Sequence, residues 1–188
     1  MSNVSTMSTH AIATALARVE GVLRRRPEAG LHDDAPATAV WAGQLRMRCQ
    51  HANGRQVPTD MPCELGGGGE EVTPGWLFRA GLASCAATSI VLAAAAEQIE
   101  LTALEVRASS RSDTRALLGI PDENGGAVPP APGGLQLAVR IDAEGVPFDR
   151  LRELVERAVG RSPIPGAATH ALPLALQVTQ AGGSSGVD

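Results

Sequence analysis

The sequence predicts a mixed α+β domain, and three observations carry that prediction. Apolar residues recur at helical spacing in three stretches. In several others they alternate with polar residues at a period of two. Turn and breaker residues separate these stretches into the order α-β-β-β-α-β-β-α-β. The length of 188 residues suits one main domain with a real core. We read residues 1–36 as an N-terminal helix and connector, 37–180 as the main domain, and 181–188 as a Gly/Ser tail.

Residues 1–7 are expected to be disordered. Ser8 or Thr9 can cap a first helix whose Ile12, Leu16, Val19 and Leu23 make one apolar stripe, and Pro27 ends it. Strands follow at Thr38–Trp41 and Leu45–His51, where Leu45, Met47 and Cys49 alternate with Arg46, Arg48 and Gln50. Asn53-Gly54 signals a hairpin, because both residues accept positive φ. Arg55–Thr59 returns as a third strand, placed at an edge by Pro58. Gly66–Gly69 reads as a flexible hinge; it lacks the Lys-Ser/Thr of a phosphate loop. Thr73 is an N-cap and Pro74 a first helical residue for a long helix through Ala96. Val106–Ser112 and the alternating Leu135, Leu137, Val139 and Ile141 are strands, joined by a mobile Pro/Gly-rich loop over 121–134. Leu151, Leu154, Val155 and Ala158 mark another helix, and Leu172–Thr179 a closing strand.

Composition narrows the function. All 16 basic residues are Arg, so Schiff-base chemistry through lysine is excluded. The net charge of -4 argues against nucleic acid as a partner, and Arg24-Arg25-Arg26 suits a helix C-terminus. The longest apolar run, around Ile90–Ala96, falls short of the ~18–20 residues of a membrane span, so no membrane is expected. His10, His32, His51 and His170 are scattered without ligand spacing, so no metal is expected. Cys49, Cys63 and Cys85 are an odd number with no C-x-x-C, which suits a reducing cytoplasm. Cys49 sits at an apolar strand position and reads as core.

Cys85 is the candidate for chemistry. It lies about twelve residues past the helix cap, ~18 Å along the axis, too far for the helix dipole to activate it. A reactive thiol there needs an Arg or His from elsewhere; otherwise it is an inert buried cysteine. Gly81, one turn earlier, costs up to ~1 kcal/mol relative to Ala, which points to close packing or to room for a ligand.

Several motifs together resemble the OsmC/Ohr family of osmotically induced and organic hydroperoxide resistance proteins. They are Pro62-Cys63-Glu64-Leu65-Gly66-Gly67-Gly68-Gly69, Thr73-Pro74, Leu77-Phe78, Ala80-Gly81 and Ser84-Cys85. The Trp41 strand, the Asn53-Gly54 hairpin with Thr59-Asp60-Met61-Pro62, Leu104-Glu105-Val106, and the closing order strand, helix, Ser162-Pro163-Ile164, strand extend the likeness over roughly residues 38 to 180.

The resemblance implies an OsmC-like α+β fold, β-β-β-α-β-β-α-β, with the cysteine on its central helix and here an N-terminal helix in front. It implies an intertwined homodimer with active sites at the interface, and no cofactor beyond an external thiol or dithiol. Cys85 maps onto the nucleophile that attacks an organic hydroperoxide. Arg46, with Arg48 as the alternative, maps onto the activating arginine. Trp76, Phe78, Gly81 and Leu82 would line the site for a small hydrophobic peroxide. Two positions depart from the pattern: Ser162 stands where the resolving cysteine belongs, and Gly75 where a glutamate belongs. A one-cysteine cycle with an external thiol, Cys63 as a local resolver, and a non-catalytic ligand binder or redox sensor are the alternatives this leaves. Glu70 and Glu71 are nearby in the chain, but nothing in the sequence places them in the site.

Overall fold

The computed structural model describes residues 9–170 and 172–181; the N-terminal stretch read as disordered, Ser8, and the tail beyond Ala181 lie outside the described residues. Helix α1 spans Thr9–Arg25 and gives way to a 3-10 turn at Pro27–Gly30, where proline removes a helical N–H. Its stripe rests on the central helix through Ile12 and Leu16, while Val19 stays exposed.

Strands β1 (Thr38–Trp41), β2 (Met47–Gln50) and β3 (Gln56–Thr59) form an antiparallel sheet with β2 in the middle. Trp41 faces Met47, and Gln50 faces Gln56. At the hairpin Gly54 takes φ 84°, and Asn53 Oδ1 accepts the Arg55 N–H at 3.0 Å. Pro58 lies on β3, an edge strand, as its missing donor requires. Among the described residues no helix packs broadly on this sheet. Trp41 is therefore 69 % exposed, and Cys49, expected in the core, is only half-buried.

Helix α2 (Pro74–Ala96) is the central element, with α1 and the later elements at Leu101–Arg111, Phe148–Gly160 and Pro163–Thr169 packed around it. Thr73 Oγ1 accepts the Trp76 N–H at 3.1 Å, and Pro74 fills the first position, where no N–H is needed. Leu82, Ala86, Ile90 and Ala94 recur every fourth residue as its buried stripe. The run-length premise behind the membrane expectation does not hold: these 23 residues are long and apolar enough, by length and composition alone, to cross a membrane. Counting unbroken runs of strong hydrophobes missed this because Gly, Ser, Thr and Cys interrupt the run without adding charge; Arg79 is its single charged residue. In the fold, this helix is the one against which α1 and those three later elements pack.

Strands β4 (Leu101–Arg111) and β5 (Gly133–Ala143) form a separate antiparallel pair. β4 begins five residues earlier than Val106, and its Leu101 and Leu104 also pack against the helical core. The connection between them carries a short helix α3 (Thr114–Leu118), capped by Asp113. Beyond it, the loop read as mobile contains a built turn: Asp122 Oδ1 accepts the N–H groups of Asn124 and Gly126 at 2.9 and 2.7 Å.

Helix α4 (Phe148–Gly160) buries Leu151, Leu154 and Ala158. After it comes a helix not anticipated from sequence, α5 (Pro163–Thr169). Pro163 and Pro165 look like breakers, yet both fall in the first turn, where backbone donors have no helical partner to lose. The closing strand expected at Leu172–Thr179 does not form: Leu172, Leu174, Leu176 and Val178 are 67, 93, 83 and 85 % exposed, with no ladder partner among the described residues. The alternation is real, but a strand also needs an edge to pair with.

The core joins Ile90 and Ala94 of α2 to Leu154 and Ala158 of α4, floored by Leu104, Val106, Val139 and Ile141 of the β4–β5 pair. Leu154 is wholly buried at this junction. Leu154→Ala is expected to cost about 3 kcal/mol, from lost transfer energy plus a cavity, read as a lower urea midpoint with an unchanged slope.

Candidate functional site

Cys85 sits midway along α2, beside the buried stripe rather than in it. Phe78, Gly81, Cys85, Ser89 and Leu92 follow one another at helical spacing along a face that is half-buried to exposed. Its thiol faces Ser162: Sγ lies 3.2 Å from the Ser162 Oγ, a contact bridging 77 residues of sequence. Ser162 is 2 % exposed and is the N-cap residue of α5. Its hydroxyl makes no cap bond, which leaves it free to point at the thiol. Thus α4 and α5, packed on α2, place a small buried hydroxyl directly against the cysteine.

The proposed wall residues divide. Trp76 and Phe78 are 49 and 44 % exposed at the start of α2, and a side chain built at Gly81 would meet open space. Gly81 therefore relieves no close packing among the described residues. Leu82 is buried in the core and presents no surface to a ligand. Cys63 is exposed, and its thiol donates to the Gly68 carbonyl at 3.4 Å.

Arg46, just before β2, is held elsewhere. Its Nε donates to Asp60 Oδ2 at 3.2 Å, and Nη2 donates to Glu70. Among the described residues it makes no hydrogen bond to Cys85. Asp60 is wholly buried, and it also accepts the Met61 N–H at 2.8 Å and the Gly68 N–H at 2.9 Å. The glycine run is thus a fixed cradle and not the hinge expected from sequence. Gly66 and Gly67 donate to the carbonyls of Cys63 and Pro62, and Gly69 donates to that of Met61. Gly66 and Gly69 take φ 86° and 70°. A side chain at Gly67 would collide with the Met61 carbonyl, and one at Gly68 with Arg46. Asp60 went unrecognised because nothing in Thr59-Asp60-Met61 marks it as buried; the following glycines, read as close approach instead of flexibility, were the available signal.

Burial alone would raise the Asp60 carboxyl, but the bonds from Met61, Gly68 and Arg46, with the Arg46 charge, outweigh it and hold the carboxyl below its usual range. The Asp60 bond, followed by Glu70, raises Arg46 in turn. A carboxylate lowered on folding adds stability above its unfolded value, near ~3.9, and loses it as pH falls through the folded value. Acid titration followed by circular dichroism is therefore expected to show Asp60→Asn less steeply destabilised below about pH 4 than the parent.

The central cysteine helix, packed on the β4–β5 strand pair through β4, carries a thiol against the residue that opens the last helix. The model for OsmC-like proteins matches residues 67–177, more than half of the chain and all of the thiol site. This chain belongs to the OsmC-like family. The matched segment starts inside the glycine cradle, and α1 lies in front of it.

Solved structures agree on the fold. An OsmC-like protein from Mycoplasma pneumoniae is 17 % identical over 74 % of this chain and 89 % of its own, with a TM-score of 0.61. An organic hydroperoxide resistance protein OsmC from Legionella pneumophila is 23 % identical over 73 % of this chain and 90 % of its own, at TM-score 0.51. An organic hydroperoxide resistance protein from Elizabethkingia anophelis, with thiocyanate bound, is 23 % identical over 73 % and 89 %, at 0.53. No curated protein matches this OsmC-like chain.

Proposed function

We propose that this OsmC-like protein reduces organic hydroperoxides through Cys85 as its sole peroxidatic cysteine and serves oxidative-stress defence. The observation that carries the reading is the Cys85–Ser162 contact at 3.2 Å on the family's central helix. The Cys85 thiolate attacks the terminal oxygen of R–O–O–H, the O–O bond breaks, and the alkoxide leaves and takes up a proton. Sulfur is oxidised to the sulfenic acid and the peroxide is reduced to an alcohol. An external thiol then condenses with the sulfenic acid, releasing water, and a second thiol reduces the mixed disulfide back to Cys85. Ser162 can hydrogen-bond the sulfur but cannot supply the second thiol. No cofactor enters this cycle, and a reducing cytoplasm would supply the thiols.

Two features support a homodimer with the site at the interface. Among the described residues, the β1–β2–β3 sheet has no broad packing partner and the alternating Leu172–Val178 segment has no edge to pair with. A second copy would cover the exposed Phe78–Leu92 face of α2 and bring the partner's Arg46 sheet toward Cys85. Sedimentation equilibrium at micromolar concentration is expected to give twice the 19.3 kDa chain mass; a pure monomer would count against the shared site.

The test of the activity uses purified full-length protein, cumene hydroperoxide and dihydrolipoamide. Catalytic peroxide loss is expected, with dimedone trapping a sulfenic acid on Cys85 when the dithiol is withheld. A single, non-recurring oxidation without turnover would instead favour the second reading, a redox sensor or small-ligand binder, which Ser162 and Gly75 both suit.

A further inference from the structure

The two carboxylates on Arg46 are not equivalent. Asp60 is wholly buried and bonded on both oxygens, so it can neither swing away nor be replaced by water. Glu70 reaches the same guanidinium from a side chain that is 72 % exposed. Exposed ion pairs contribute little and exchange readily with solvent, whereas a buried, fully hydrogen-bonded carboxylate fixes its partner's position. Arg46 itself is 41 % exposed. Its guanidinium has five N–H donors in a rigid fork, and the two carboxylates engage it only through Nε and Nη2.

The glycines follow the same logic. Gly68 donates its N–H to Asp60, and a Cβ there would sit 2.5 Å from Arg46 Nη2 and 2.9 Å from Asp60 Oδ2. The cradle therefore admits backbone on one side of the pair and leaves the other side to Glu70.

We infer that Asp60 is the positioning residue that aims Arg46, and that Glu70 is its exchangeable partner, displaced when Arg46 engages an anionic group such as the Cys85 thiolate in the assembled protein. This rests on the proposed peroxidase reading, in which Arg46 serves Cys85. Its consequence is unusual for one ion-pair cluster: removing the two carboxylates has opposite effects. Without Asp60 the arginine loses its aim and the thiolate loses support. Without Glu70 the arginine loses a competitor and the thiolate gains support.

The experiment measures Cys85 alkylation by iodoacetamide at pH 7 and across a pH profile, with peptide mass spectrometry separating it from Cys49 and Cys63. Asp60→Asn is expected to slow alkylation about tenfold, the thiolate fraction expected for a shift of one pH unit in the profile. Glu70→Gln is expected to speed it severalfold. Gly68→Ala repeats the first effect without changing any charge, by pushing Arg46 off Asp60, and serves if Asp60→Asn does not fold. Arg46→Ala separates the two levels of the argument. If Arg46→Ala slows alkylation while the Asp60 and Gly68 variants do not, or if both carboxylate variants move the rate the same way, the positioning role is overturned. If Arg46→Ala leaves alkylation unchanged, the link between Arg46 and Cys85 itself fails.

Discussion

Cys85→Ser is expected to abolish peroxide reduction, by at least about 10³-fold in kcat/KM, while leaving the fold intact. The size of the effect follows from electron balance. Cleaving the O–O bond requires a two-electron donor, and the sulfur becomes a sulfenic acid in providing it. A serine oxygen has no corresponding oxidised state to reach, and its hydroxyl is not ionised near neutral pH. The structural cost is small by comparison. Cys85 is only half-buried, and the one side-chain hydrogen bond it makes among the described residues, to the Ser162 hydroxyl at 3.2 Å, would form with a hydroxyl as readily as with a thiol. Loss of activity with an unchanged melting curve is therefore the expected pair of results, with Cys49→Ser retaining activity as the control. Equal peroxide loss from the Cys85→Ser protein and its parent would remove Cys85 from the chemistry.

The parts of the molecule that were legible in the sequence are those governed by local rules. Thr73-Pro74 announced the start of α2, Asn53-Gly54 the hairpin, and the period-two run from Leu135 to Ile141 the strand β5, because capping, φ preference and pleat act within a few residues. What was missed depends on position within an element or on distant partners. Helix α5 was not anticipated, since Pro163 and Pro165 suit a helix only when they fall in its first turn. Leu172–Thr179 reads as a strand, yet pairing is not a property of the segment alone. Gly66–Gly69 reads as slack chain, and only the approach of Asp60 and Arg46 turns it into a cradle. For the site, motif resemblance singled out Cys85 and Ser162, while their contact needed α4 and α5 to fold back on α2. Glu70 could not be placed from sequence, since 24 residues separate it from the arginine it meets.

Ser162→Cys carries the other large expected effect. The Cys85 Sγ and Ser162 Oγ already lie 3.2 Å apart, and a sulfur extends farther from its Cβ than an oxygen does, so little backbone movement is needed to reach the ~2.05 Å of a disulfide. After one equivalent of hydroperoxide, the sulfenic acid on Cys85 would condense with the introduced thiol and expel water. The product is a cross-link seen as a joined peptide under non-reducing conditions. Dimedone labelling, expected to be near complete in the parent, should fall at least tenfold, because an adjacent thiol outcompetes a dissolved nucleophile by effective concentration. The bridge would also close a loop of 77 residues. Loop-closure entropy alone sets an upper stabilisation of about 4.5 kcal/mol, read as a raised midpoint in the oxidised protein that dithiothreitol removes. Undiminished dimedone labelling in this variant would show that the thiol and the hydroxyl do not share a site during turnover. Cross-linking together with faster dithiol-dependent turnover would identify Ser162 as the residue that makes regeneration of Cys85 depend on an outside thiol.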